Sequence, residues 1–232
     1  MEKFVKSSFL LSETNLDFPN PESSDKNGLV AIGGDLSPGR ILSAYKQGIF
    51  PWFGPEDPLL WWSPNPRLVL NPNDFKVSKS LRQALKKPYI FTIDTAFAEV
   101  INACANSQGR ANNTWITKEM CQSYTDLYLL GFAHSFEIWD DENLIGGLYG
   151  LSLGHAFFGE SMFHRVRDAS KIAMFHLCQV LTSWNFQLID CQLPNAYLER
   201  LGAKKINRKQ FLLNLRKALK QPTRHGRWTS LV

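Results

Sequence analysis

Two acids and an amide have the residue types and spacing to do chemistry. Glu160 stands in "FFGESMF", and Asp190 and Gln192 stand in "LIDCQL". Each acid ends an apolar stretch, where a charged group costs free energy unless it is paired or used. Gln192 follows Asp190 by two residues, so on a regular strand the two side chains share a face. Such a set could form a polar site in an apolar cleft. The plainer alternative is a pair of hydrogen-bonded structural acids, because ion-pair networks also perturb pKa values.

A second constellation is aromatic. The stretch "FPWFGPEDPLLWWSPNPR" (50–67) holds Trp52, Trp61, Trp62 and five prolines. Prolines at this density interrupt helical hydrogen bonding, so the stretch is expected to be a rigid, extended loop. Its rings either plug a local core or form a stiff wall for a planar ligand such as a nucleobase. A third constellation is basic. Lys79, Arg82 and Lys86 share one face of a helix predicted over 78–87, with Lys87 beside them and no acid between Asp74 and Asp94. A face of this kind is either simply solvated or meets phosphate.

Other motifs lead nowhere. Gly150, Ser152 and Gly154 satisfy GxSxG, and Asp190 and His225 follow in hydrolase order. A nucleophile elbow needs a strand–turn–helix setting, whereas Ser152 sits in alternating strand-like sequence. "GGLYG" is not GxGxxG, and no GxxxxGK[ST] occurs, so neither a Rossmann cofactor nor nucleotide hydrolysis is expected. The five histidines and four cysteines show no metal-ligand spacing, and the cysteines read as reduced thiols rather than a disulfide frame.

These residues need elements to position them. Residues 28–50 read as an apolar run ending at Gly33 and Gly34, then a short helix closed by Gly48. With the Pro/Trp stretch they make a small N-terminal domain, 1–66, ahead of a larger one, 67–232. The larger domain reads β-α-α-β-β-β-α-β-α. "YIFTID" is a strand, and "AFAEVINACA" and "TKEMCQSYTDLYLLG" are helices. A meander follows, with turns at Asp141 to Asn143 and at Leu153 and Gly154. "DASKIAMFHLCQVLTSWN" is a helix capped by Asp168 or Ser170, "FQLIDCQL" a strand, and "AYLERLG" and "RKQFLLNLRKALKQ" helices. The fold class is therefore mixed α/β with an antiparallel meander, not a doubly wound sheet.

At 232 residues, 44% apolar and 20% charged, the composition is that of a globular protein. The net charge of +5 hides an asymmetry: from Arg200 onward there are only basic charges, no Asp or Glu. That block either assists phosphate binding or aids solubility. No apolar run is long enough for a membrane span or a secretory signal.

In order along the chain, "GLVAIGGDLSPGRILSAYKQGIFPWF", "DPLLWWSPNPR", "TWIT", "AHSFEIW", "GGLYG", "FFGESMF", "ASK" and "LIDCQ" resemble the leucyl/phenylalanyl-tRNA–protein transferases from about residue 28 to 215. The resemblance implies a cytoplasmic bacterial enzyme with a GNAT-like larger domain and no cofactor or metal. It would move Leu, Phe or, less readily, Met from aminoacyl-tRNA to proteins beginning with Arg or Lys, creating an N-degron. A monomer is expected. By the same resemblance, Trp52 and Trp115 flank the 3′-terminal adenosine, Asp190 and Gln192 orient and polarise the attacking amine, and Glu160 helps shape their polar network. Tyr45, Tyr124 and Asn195 join their polar network. Leu148, Phe157, Met162, Met174, Leu177 and Ile189 line the aminoacyl pocket, where packing alone would call them core. Lys79, Arg82, Lys86 and Lys87 gain weight as tRNA-backbone contacts. Trp61 and Trp62 are assigned to packing between the domains. The rival reading is a non-catalytic tRNA-binding module with the same aromatic and basic features.

Overall fold

A computed structural model of the chain describes residues 10–11, 15–107 and 114–230. Two sheets organise it. The N-terminal one is built from β1 (Leu10–Leu11), β2 (Leu29–Gly33), β3 (Phe50–Pro51) and β4 (Leu60–Trp62), in the order β1-β2-β4-β3, with helix α1 (Pro38–Lys46) between β2 and β3. The Pro/Trp stretch is thus not the plain loop expected from its prolines. Pro51 is tolerated because β3 is an edge strand, which need not donate to a neighbour on both sides. Apolar Leu60 and Trp61 supply the buried strand beside it.

The larger sheet has seven strands: β5 (Arg67–Leu70), β6 (Ile90–Ile93), β7 (Ala133–Asp140), β8 (Asn143–Leu153), β9 (Ala156–His164), β10 (Leu188–Gln192) and β11 (Lys204–Ile206). Their order is β11-β5-β10-β9-β8-β7-β6. All neighbours are antiparallel except β9 and β10. Between the strands run α2 (Lys79–Ala84), α3 (Phe97–Ala105), α4 (Lys118–Leu129), α5 (Ala169–Ser183), α6 (Ala196–Arg200) and α7 (Arg208–Ala218). The mixed α/β class and the meander are as the sequence predicts. Strands β5 and β11 are additions to the predicted order. Both are short and carry charges at Arg67, Lys204 and Lys205, so neither shows a strand pattern on its own.

Local chemistry sets three further departures. Helix α2 stops at Ala84 rather than 87, because Pro88 disfavours helical backbone ahead of it and the chain tightens into i+3 bonds from Lys86 and Lys87. Asp168 occupies the N-cap position of α5 in a left-handed conformation but makes no capping bond. Its carboxylate instead meets Lys171 Nζ at 2.5 Å. The β8–β9 turn lies at Gly154 and His155, one residue later than predicted.

The sheet separates two cores. On one side α2 and α5 pack with Leu148, Phe157, Met174, Leu177 and Ile189. On the other, α1, α3, α4 and α7 pack with Tyr45, Tyr124, Tyr149 and Phe158, so the small sheet and the large domain share a core. The glycines of "GGLYG" allow close approach. A Cβ on Gly146 would stand 2.5 Å from that of Ala169 and push α5 off the sheet, and one on Gly150 would stand 2.2 Å from the Phe158 carbonyl.

The C-terminal basic block is tied to the body. Trp228 is fully buried, its ring stacked 3.7 Å from that of His134, its backbone N–H donated to Asp94 and its indole N–H to the Arg224 carbonyl. Among the described residues no helix is long and apolar enough to cross a membrane.

Candidate active site

Strands β9 and β10 pair in parallel only from Leu188–Ala156 to Asp190–Phe158. Beyond that point each strand is bulged. In β9 the partner of β8 jumps from Gly159 to Ser161, leaving Glu160 as the extra residue. In β10 the partner of β5 jumps from Asp190 to Gln192, leaving Cys191 as the extra one. Bulges re-aim side chains. Here they turn Glu160 and Gln192 toward a cavity of about 360 Å³ that opens where the strands part.

The cavity has three kinds of wall. Phe50, Pro51, Trp52 and Trp115 form an aromatic one. Leu148, Phe157, Met162, Met174, Leu177 and Ile189, all six of the predicted pocket residues, form an apolar one. Glu160, Ser161, Gln192 and Asn195 supply polarity, and among the described residues no Lys, Arg or His lines the space. Among the described residues the lining therefore offers the Glu160 carboxyl and no cation to whatever enters it.

Glu160 accepts from Tyr45 Oη at 2.7 Å, Tyr124 Oη at 2.9 Å and Gln192 Nε2 at 3.2 Å, and the two hydroxyls lie 2.6 Å apart. Tyr45 comes from α1, Tyr124 from α4 and Gln192 from β10, so the carboxyl joins the N-terminal unit to the large domain. Burial raises the Glu160 pKa, the hydrogen bonds oppose that, and the charge of Asp190 adds to it. The result is about 7. Burial, reinforced by the Glu160 charge, pushes both tyrosines well above their usual value, so they remain hydrogen-bond donors.

Asp190 is placed differently from the sequence expectation. Because of the bulge, and with Gln192 at φ 62°, the two side chains do not share a strand face. Asp190 is fully buried behind the cavity and is absent from its lining. Its oxygens meet Arg67 Nε at 2.8 Å and Nη2 at 2.6 Å, and Oδ1 also accepts the Gln192 N–H at 2.9 Å. Sequence reasoning missed Arg67. Its only signal was an arginine at the start of an apolar run, which a buried acid elsewhere would have to neutralise. Asn195 lines the cavity, but its Oδ1 caps α6 by accepting from Tyr197 and Leu198, so it stays outside the tyrosine–glutamate network.

Trp52 is 41% exposed. Its N–H is donated to the Leu60 carbonyl, and its own carbonyl accepts Trp62 Nε1 at 2.6 Å. The Trp62 ring packs edge-on against it at 6.0 Å. Trp62 thus braces Trp52 while also packing against the shared core and the N-terminal cluster. Trp61 is fully buried in the shared core, with Nε1 on the Gly33 carbonyl. Lys79, Arg82, Lys86 and Lys87 are exposed on and just after α2, away from the cavity lining. Ser152 lies buried within strand β8, next to its last residue, with no hydrogen-bond partner for its Oγ among the described residues and no helix following it, which removes the hydrolase setting.

Comparison with known proteins settles the relationship. The family model described as "Leucyl/phenylalanyl-tRNA protein transferase" matches residues 69–216, and the model of its N-terminal domain matches 34–65. The leucyl/phenylalanyl-tRNA–protein transferase of Legionella pneumophila (strain Lens) is 61% identical over 217 residues, covering 94% of this chain and 98% of that one. That of Cellvibrio japonicus is 52% identical over 215 residues, covering 91% and 92%. This chain belongs to the leucyl/phenylalanyl-tRNA–protein transferase family. Membership makes it an aminoacyltransferase. A GCN5-related N-acetyltransferase from Kribbella flavida aligns with a TM-score of only 0.37 at 14% identity, over 72% of this chain and 60% of that one, too low for any argument.

Within this transferase the raised Glu160 pKa has a consequence for stability. The unfolded chain ionises the group near 4.5, the folded chain only at about 7. Between those values the folded state holds the extra proton, so stability falls as pH rises through the window and stays lowered above it. Glu160→Gln keeps the shape and removes the ionisation. It is expected to be more stable than wild type by roughly 3 kcal/mol at about pH 8, and about equal at about pH 4. Urea unfolding at the two pH values checks this. A variant less stable than wild type at the higher pH contradicts it.

Proposed function

We propose that the chain transfers Leu, Phe and, less readily, Met from aminoacyl-tRNA to the α-amino group of proteins beginning with Arg or Lys, marking them for degradation. The observation that carries this reading is the single cavity in which an aromatic wall, an apolar methionine-lined slot and one carboxyl group converge. The wall suits the terminal adenosine, stacked by Trp52 and Trp115. The slot suits an unbranched-β apolar side chain, and the thioethers of Met162 and Met174 adapt to both Leu and Phe. The carboxyl suits an incoming amine. All parts lie in one chain, so the reading takes it to act as a monomer, in the cytoplasm where charged tRNA occurs. The boundary between the two units is placed near residue 66, between β4 and β5.

The aminoacyl ester is already activated, so neither ATP nor CoA enters the scheme. Gln192 donates to Glu160 through Nε2, which leaves its amide oxygen to orient the amine. The neutral amine attacks the ester carbonyl and a C–N bond forms. The proton it sheds passes to Glu160, held by two tyrosines. The C–O bond to the ribose then breaks, and the leaving oxygen takes that proton. Asp190 serves by holding the Gln192 turn rather than by touching substrate. Uniform contacts by the basic α2 region suit a donor defined by its amino acid rather than its tRNA sequence, because phosphate contacts carry no sequence information.

The test is incubation with leucyl-tRNA and a peptide beginning with Arg, followed by mass spectrometry. One added leucine is expected at the N-terminus, and none on the same peptide after N-acetylation. No addition with any charged tRNA overturns the reading. RNA binding without transfer would leave the non-catalytic module in its place.

A further inference from the structure

Arg67 opens β5 and is fully buried, and it lies outside the cavity lining. Its guanidinium carbon sits 4.7 Å from the ring centre of Phe50 and 4.4 Å from that of Phe211. Phe50 belongs to β3, and two residues later comes Trp52. Phe211 belongs to α7. In the plane of the fork, Nε and Nη2 hold both oxygens of Asp190. The remaining nitrogen, Nη1, has no hydrogen-bond partner among the described residues, so the group's polar engagement is spent on one carboxylate. That carboxylate accepts the N–H of Gln192, a non-glycine residue at φ 62°, where an L residue is disfavoured and the conformation needs support.

From this arrangement we propose that Arg67 is a positioning residue that locks the aromatic wall of the donor site to the polar turn of the acceptor site. The face-on contact with Phe50 fixes the strand that carries Trp52. The in-plane fork fixes the Asp190–Gln192 turn. A planar, bidentate cation does both at once, and lysine, a point charge on a flexible stem, does neither well. The inference rests on the transferase reading above and deepens it: the adenosine of the donor and the amine of the acceptor are held in mutual register by a group that touches neither.

A bare Arg67→Ala would leave Asp190 buried and unpaired and would test folding only. The informative variant is the double substitution Arg67→Met/Asp190→Leu, because replacing a buried ion pair by apolar groups of similar size is often neutral or stabilising. The double variant is expected to melt no lower than wild type and to bind leucyl-tRNA with a Kd within about twofold. Its kcat for transfer to an Arg-peptide is expected to fall about 10²-fold, the scale of a small misplacement of reacting groups. Arg67→Lys is expected to keep the melting temperature within a few degrees and to lose about 10-fold in kcat with KM for the donor unchanged. A merely structural role would move the melting temperature and spare the kcat of whatever stays folded. An active wild type beside a folded double variant of full kcat overturns the inference alone. A wild type that transfers nothing overturns the transferase reading and the inference with it. Should the double variant not fold, the lysine variant decides: slowed turnover at unchanged donor KM supports the role, and full turnover overturns it.

Discussion

Gln192→Ala is expected to slow transfer from leucyl-tRNA by about 10²–10³-fold at saturating substrates while leaving the Kd for the charged tRNA within about twofold. The side chain reaches the cavity only because a bulge and a left-handed backbone turn it there. Nε2 is committed to Glu160, so the amide oxygen is the group free to orient an amine. A contact of this sort matters most once the nitrogen begins to bond to carbon, and its loss appears in kcat rather than in binding. Single-turnover rates beside filter-binding affinities make the comparison. A variant with an intact rate, or one whose whole loss lies in donor affinity, contradicts the assignment.

The second large effect separates two kinds of RNA contact. Neutralising Lys79, Arg82 and Lys86 together is expected to weaken full-length tRNA and to lower the log–log salt slope by about 0.7–0.9 per lost phosphate contact, roughly 2–3 in all. The three are exposed, stand in a stretch with no acid between Asp74 and Asp94, and lie outside the cavity lining, so transfer from a minimal aminoacyl-adenosine donor is expected to be nearly unchanged. Trp52→Ala is expected to do the reverse. It weakens both donors by about 1–3 kcal/mol, because the lost stack is on the base, and leaves the salt slope intact. Equal losses with both donors in the triple variant would mean that the α2 region supports the fold instead of the tRNA body.

How much of this was legible in the sequence depends on how local each cause is. Helices α3, α4, α5 and α7 follow from periodic apolar residues, and Thr117 and Asn207 cap α4 and α7 from the adjoining position. The six apolar cavity residues were legible only through resemblance, since nothing distinguishes Met174 in a slot from Met174 in a core. The position of Asp190 was not legible. Regular alternation puts it beside Gln192, and the bulge that separates them depends on pairing with Val69 and Leu68, more than a hundred residues away in sequence. Arg67 was hidden for the same reason: its partners Phe50, Asp190 and Phe211 meet only in the folded chain. The brace from Trp62 to Trp52 was not legible because no spacing rule joins an indole N–H to a carbonyl ten residues back.

In the proposed scheme Glu160 takes the proton that the amine sheds, and the pH dependence of transfer is the most direct measurement of that role. Both the ionised carboxylate, with a pKa of about 7, and the neutral α-amine, with a pKa of about 7.7–8.0, are required. At saturating leucyl-tRNA, kcat/KM for an Arg-peptide in the wild type is expected to fall toward acid with a log–log slope approaching 2 below about pH 6.5, one power for each group. In Glu160→Gln the slope is expected to be about 1 over the same range, because only the amine still titrates, with the plateau lowered by about 10²-fold. The same steep limb in both proteins, or an undiminished plateau in the variant, would contradict the assignment of Glu160 as the group that takes the proton.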